Sequence, residues 1–310
     1  MNLPVYCKAI AGLLALACVA CAAPPDTAAV AQPATLAELK NMRYAGLGEL
    51  PAPVPLQDGQ WRAPPAEPTS ASRDQVTLDD ALRVVGDLDA DGQDEVVALL
   101  THSPGGTAAW SYLAVVKRVD GSLRNVSTVA IGDRVQIRDA RIENRKLITR
   151  IVRAGPNDAA CCPGEIAQQT WALDHGRLSP QGAATTERLT LDTLAGSTWT
   201  LRAWNIDEPA PAQPVVTLSY AAGRFSGHSG CNRYTTGVTP GNLPGELRVG
   251  LVAGTRMACP EQESTIEARF LERLQAAQRF GFRSGRLAIT SSGSNGPGAT
   301  MLFEPSLPVK

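Results

Sequence analysis

From residue 96 to residue 152 the chain repeats one unit, a strand-length apolar segment followed by a turn, and that repetition excludes most folds. The apolar segments are residues 96–100, 110–116, 126–131, 135–142 and 147–152, with a further one at 170–173. Asp120-Gly121, Glu143-Asn144 and His175-Gly176 punctuate them. Short segments with β-prone composition, joined by residues that tolerate tight turns, build antiparallel hairpins rather than helices. One small, mainly β domain is expected over residues 70–182. The polar, small-residue stretch 181–190 is expected to mark its end.

After residue 194 the pattern becomes strands, one helix, then strands. The expected strands are residues 198–204, 215–220, 224–229, 247–252, 287–290 and 299–303. Pro260 suits the first turn of a helix, and Glu261 and Glu263 complement the positive end of its dipole. Ile266, Phe270 and Leu274 recur every fourth residue with Leu271 beside them, while Glu267, Arg269, Glu272 and Arg273 lie elsewhere on the circumference. That is an amphipathic helix laid on a sheet. The fold class expected for the whole is mainly β (α+β): a small antiparallel β domain, then an antiparallel β domain with one packed helix over 191–306.

The front of the chain reads as an address. Lys8 precedes the apolar run 9–17, too short to span a bilayer, and small residues lead into cysteine. This suits a lipoprotein signal peptide over 1–21, with Cys18 or Cys21 as the acylated residue; an ordinary cleaved signal peptide is the alternative. Neither cysteine is followed by Asp, and lipoproteins of this pattern usually go to the outer membrane. Residues 22–69, rich in Ala and Pro, are expected to form a tether, because so few large apolar groups cannot offset the entropy of ordering. Within it, residues 54–61 suggest a turn flanked by β-prone residues.

The third part of the chain resembles the META (HslJ-like) domain family. The resemblance rests on Leu194-Ala195-Gly196-Ser197-Thr198-Trp199, then Gly223-Arg224-Phe225-Ser226-Gly227, Ser229-Gly230-Cys231-Asn232-Arg233-Tyr234, and Thr255-Arg256-Met257-Ala258-Cys259-Pro260, in that order. It implies a compact domain of antiparallel strands with one helix, in a family linked to heat shock, envelope stress and antibiotic tolerance, with no established catalytic activity. Cys231 and Cys259 lie in its two most recognisable motifs. In an oxidising envelope an even set of cysteines is read as disulfides, so a Cys231–Cys259 bridge is expected; two buried thiols are the alternative. Gly227-His228-Ser229-Gly230 falls short of a nucleophile elbow, because Cys231 stands where the pattern needs glycine. With only His102, His175 and His228 in the chain, the expectation is that the protein is not an enzyme.

Two further features lie in the middle segment. Cys161-Cys162 can bridge only through a strained ring, and a structural turn is favoured over a redox switch. Zinc is disfavoured, since His175 does not complete a paired ligand spacing. The run Asp87-Leu88-Asp89-Ala90-Asp91-Gly92-Gln93-Asp94-Glu95 resembles the calcium loops of FG-GAP and related β-repeat proteins. Asp87, Asp89, Asp91 and Glu95, with the backbone at Gln93, have the spacing to wrap one Ca2+ in oxygen. A plain aspartate-rich turn is the alternative, and a single copy does not support a propeller. The segment as a whole also resembles an uncharacterised β region found beside META domains in other envelope proteins. Asn125-Val126-Ser127 is a glycosylation sequon by pattern alone.

Charge narrows the function. With 29 basic against 30 acidic residues and no sustained run of either sign, the chain lacks the surface that nucleic acid requires. The expected function is a non-catalytic cell-envelope lipoprotein, held at the membrane by its lipid and binding another envelope protein in support of stress tolerance. The alternative is an extracytoplasmic calcium or redox sensor, or a protease inhibitor.

Overall fold

A computed structural model describes residues 32–50, 53–64, 73–159, 161–291 and 298–306. Cys18 and Cys21 lie outside the described residues. The first ordered piece holds α1 (Leu36–Lys40), β1 (Arg43–Tyr44) and β2 (Val54–Pro55). A five-stranded antiparallel sheet follows: β3 (Gln60–Arg62), β4 (Gln75–Gly86), β5 (Glu95–Ser103), β6 (Trp110–Val119) and β7 (Ser122–Asp133), paired in that order. The next sheet is a four-stranded meander of β8 (Gln136–Glu143), β9 (Lys146–Arg153), β10 (Glu165–Asp174) and β11 (Arg177–Arg188).

The continuous apolar run of β5 has a structural cause. Successive side chains of a strand point to opposite faces, so a run without alternation implies that both faces are covered. On one face Val96, Ala98 and Leu100 join Tyr112, Ala114 and Val116 of β6. On the other, Val97 and Leu99 pack with Leu113 and Val115 against Ile137, Leu147, Ile151 and Trp171 of the meander.

The cover of the first face corrects the expected tether. Residues 33–50 and 53–64 are packed, and Leu39, Tyr44, Leu47, Val54 and Leu56 form the lid of that core. Thr35 and Glu38 make a capping box that starts α1, Tyr44 Oη donates to the Leu39 carbonyl at 2.9 Å, and Glu38 pairs with Arg118 at 2.9 Å. The apolar residues are few, yet nearly every one is inserted.

The hairpin turns fall close to their expected places. Asp120 and Gly121, and likewise His175 and Gly176, have positive φ, as two-residue hairpin turns require. The third turn is displaced by one residue, to Asn144 and Arg145. The boundary expected at 181–190 is absent. Residues 177–188 continue β10 as its antiparallel partner, and Leu189 and Leu191 are already buried in the next core.

A 3-10 turn at Leu191–Leu194 leads into β12 (Thr198–Asn205), β13 (Glu208–Pro209), β14 (Thr217–Ala221), β15 (Arg224–His228), β16 (Arg233–Pro240), β17 (Leu247–Val249) and β18 (Ala253–Gly254). Then come α2 (Glu261–Gln275), β19 (Ala277–Arg283), β20 (Arg286–Ser291) and β21 (Ala299–Pro305). The main path runs β17-β16-β15-β14-β12-β21-β20-β19. Its two ends approach each other, with Glu246 bridged to Arg279 and Phe280 N–H donating to the Gly245 carbonyl at 2.7 Å. The sheet is thus nearly a barrel, and α2 buries Ile266, Phe270 and Leu274 in its core as the periodicity predicts.

The meander and the near-barrel share that core, since Val152 of β9 and Ile166 of β10 belong to it. The exposed edge of β8 meets β19: Gln136 Oε1 accepts from Phe282 N–H at 2.8 Å, and Gly285 N–H donates to the Ile137 carbonyl at 3.0 Å. Arg138 stacks over the Phe282 ring and donates to the Thr193 carbonyl at 2.7 Å. Ile166→Ala is therefore expected to cost about 2–5 kcal/mol, the range for emptying a buried aliphatic site. Calorimetry should show one transition lowered as a whole, rather than one of two transitions displaced.

Candidate functional sites

Residues 87–94 connect β4 to β5 as a series of turns closed by their own carboxylates. Asp87 Oδ1 accepts from Ala90 N–H at 2.6 Å and its Oδ2 from Gly92 N–H at 3.2 Å. Asp89 Oδ1 accepts from Asp91 N–H at 3.3 Å, and Asp91 Oδ1 from Gln93 N–H at 2.9 Å. Gln93 takes part here through its backbone N–H, as a donor. Glu95, fully buried, accepts from Leu88 N–H at 2.7 Å through Oε2. Single carboxylate oxygens of Asp87, Asp89 and Glu95 lie within 4.8 Å of one another. Into this group reaches Lys117 of β6, whose Nζ is 2.5 Å from Asp89 Oδ2, 2.6 Å from Asp91 Oδ2 and 3.2 Å from Glu95 Oε1.

The charges respond to this geometry. Burial pushes the Glu95 carboxyl above its usual range, despite the Leu88 N–H and Lys117. Asp91 is held below its range, first by Lys117 and then by the Gln93 N–H. Burial alone would lower the Lys117 ammonium, but its three carboxylate partners outweigh that and raise it. Calcium takes 6–8 oxygens. Once the loop's own hydrogen bonds are counted, Asp89 Oδ2, Asp91 Oδ2 and Glu95 Oε1 remain, and all three face the ammonium. The position that the sequence pattern assigns to Ca2+ is taken in this geometry by the Lys117 ammonium. Lys117 escaped the sequence reading because it is distant in sequence, and its signal is a lone lysine at the end of an apolar strand.

Cys161 and Cys162 form a vicinal disulfide, with Cys162 buried and Cys161 exposed. Asp158 organises this loop, accepting from Gly155 N–H at 2.7 Å and Gly164 N–H at 2.9 Å and pairing with Arg188. Gly164 is packed so closely on Pro244 that a Cβ would lie 2.5 Å from its Cγ. His175, exposed in its own hairpin, belongs to no group of potential metal ligands among the described residues.

The Ser229-Gly230-Cys231-Asn232 turn follows β15 and rests on α2. Ser229 N–H and Oγ both donate to the Asn232 carbonyl, at 2.8 and 2.7 Å, and Oγ also abuts Glu267. Asn232 donates to Glu267 from its backbone at 2.8 Å and from Nδ2 at 3.0 Å. Its Oδ1 accepts from Thr255 Oγ1 and Met257 N–H, each at 2.8 Å. Burial alone would raise the Glu267 carboxyl, but the donors on Ser229 and Asn232 outweigh it and hold the group below its usual range. The Cys231–Cys259 disulfide, with Cα atoms 6.0 Å apart, closes the same assembly. Ser229 is fully buried, and no histidine nitrogen is among its partners. The network fastens turn, strap and helix together. Glu267, placed on the polar circumference by periodicity, sits beside Ile266 at the edge of the apolar stripe and turns under the motif.

A cleft of about 860 Å3 lies between the five-stranded sheet and the outer face of β19, β20 and β21. Thr101 and Ser111 line one wall; Arg279, Arg283, Thr290 and Leu302 line the other. Arg283 reaches Asp79 across it at 3.7 Å. Among the described residues Arg279 makes no side-chain hydrogen bond or ion pair; the Leu243 and Asn242 N–H groups, and after them Arg279 and Arg248, hold the Glu246 carboxyl below its usual range.

Comparison with known proteins accords with the second half of this description. Residues 192–305 match the META domain family, so the chain carries a META domain. An NMR structure of a protein from Burkholderia xenovorans is 27% identical, over 41% of this chain and 94% of that one, with a TM-score of 0.30. No curated protein matches the chain.

Two outcomes follow from the geometry. Peptide mapping without reductant should recover Cys231 joined to Cys259, and closure of this 28-residue separation should contribute roughly 3–4 kcal/mol on the chain-entropy account. Asp158 is brought down from 3.8 to about 2, first by Arg188 and then, against burial, by the Gly155 and Gly164 N–H groups. A depressed carboxyl stabilises the fold above its unfolded value, and that contribution is lost as pH falls from about 4 towards 2. Asp158→Asn should flatten this limb of the stability profile measured by urea melts.

Proposed function

We propose that the protein is a non-catalytic binding module of the cell envelope, tethered by a lipid on Cys18 or Cys21 and facing the periplasm from the outer membrane. The observation that carries the non-catalytic reading is the complete burial of Ser229 and its engagement by Asn232 and Glu267. A nucleophile must reach a substrate and a base, and this one holds a turn in place. The META domain at 192–305 and the two disulfides support an exported, oxidised setting.

The binding reading rests on the cleft. Ligand sites are concave and tend to lie where structural units meet, with a few polar groups fixing orientation. Here hydroxyls and guanidinium groups from both walls surround an opening large enough for an extended segment of a partner. Support for envelope stress tolerance comes from the family resemblance alone.

Mass spectrometry of the mature N-terminus should show acyl mass on Cys18 or Cys21, whereas an unmodified terminus in a membrane-free fraction would overturn the anchor. A photo-crosslinking residue at Ala288 or Thr290, which line the cleft, should form adducts in intact cells. The same residue at His175, which is 96% exposed, should not. Equal labelling at all three positions would remove the cleft from the proposal.

A further inference from the structure

The loop between β4 and β5 gathers four carboxylates, yet the charge that answers them comes from the protein itself. Lys117 leaves β6 next to Val115 and Val116, both buried, and keeps only 12% of its side chain exposed. Its ammonium meets Asp89, Asp91 and Glu95 at 2.5, 2.6 and 3.2 Å. Glu95 Oε1 has no hydrogen-bond donor of good geometry and is wholly buried. Such an oxygen is costly unless a cation faces it, and the ammonium is the cation that does.

We propose that Lys117 is the resident counter-cation of the 87–95 loop, occupying the position its sequence pattern assigns to a divalent metal, so that the loop keeps its shape without one. Calcium entering the loop would have to displace the ammonium or share its oxygens with it. In the first case a buried lysine loses its partners. In the second, a double positive charge lies within a few ångströms of a single one in a poorly solvated site. The arrangement also fastens β6 to the entry of β5, the strand covered on both faces. The central strand is therefore ordered independently of divalent-ion supply.

The test uses the full chain, melted in chelator and in millimolar calcium. The wild-type midpoint should be the same in both, with no heat of calcium binding by calorimetry. A calcium-dependent rise in the wild-type midpoint, accompanied by binding heat, would overturn the proposal. Lys117→Met keeps the length of the side chain and removes its charge, and should lower the midpoint in chelator. A Lys117→Met midpoint equal to that of wild type would also overturn it. If Lys117→Met does not fold, the double variant Lys117→Met/Asp89→Asn decides the matter, because one fewer carboxylate relieves the uncompensated charge. Recovery of folding in chelator supports the counter-cation; failure to recover overturns it.

Discussion

Val152 and Ile166 leave the four-stranded meander and finish inside the near-barrel, and much of the architecture depends on that shared burial. A sheet with an uncovered edge invites pairing with other chains. Here the edge of β8 is occupied by β19 through Gln136 and Phe282, while Arg138 reaches past the Phe282 ring to Thr193. The seam combines apolar burial, which is strong but indifferent to register, with directional hydrogen bonds that fix it. The cleft exists because the five-stranded sheet faces the outside of β19–β21 without closing on it. The shape of the cleft is thus held by the seam rather than by flexible connections.

What could be read from sequence follows how local each interaction is. Hairpins depend on neighbouring residues, so the strands from β5 to β10 and the turns at Asp120 and His175 were legible from alternation and turn chemistry. β4 was missed because Asp79, Asp80 and Arg83 interrupt its pattern, and its pairing with β5 shifts register between Leu78 and Arg83. Within β11, residues 181–185 are small and polar, so composition reads them as a boundary, and in the fold they are exposed. An edge strand needs no apolar face when its backbone is satisfied by β10. Composition makes residues 33–50 and 53–64 look like a tether, because it counts apolar groups without saying where they go. A thin lid over a preformed sheet needs only a few of them.

The functional residues divide in the same way. Asp87 to Glu95 and the Ser229 to Asn232 motif were visible as patterns, but the groups that decide their chemistry are distant in sequence. Lys117 lies 28 residues from Asp89, and Glu267 lies 38 residues from Ser229. In each case the pattern alone points to a reaction or a ligand, and the fold adds a partner that the pattern does not contain. Burial removes a polar group from water, after which it must find a partner within the fold. Motifs rich in Asp, Ser and Asn are therefore as well suited to fastening turns as to catalysis.

Glu95, fully buried, and Glu267, half-buried, show two physical solutions to one problem. Glu267 is surrounded by neutral donors on Ser229 and Asn232, and these outweigh burial, so its ionised form is favoured in the folded chain. Its contribution to stability is present above its unfolded value and fades as pH falls. Glu95 has one backbone donor and the ammonium, and burial still wins, leaving its carboxyl raised. By linkage, ionised Glu95 favours the fold less as pH rises through its folded value. Without Lys117 that penalty would be larger, because Asp89 adds repulsion to the same oxygens. The lysine thus lowers the cost of keeping a charged group at the head of the most deeply buried strand. The META motif needs no such cation, because its backbone and amide donors already surround the carboxylate.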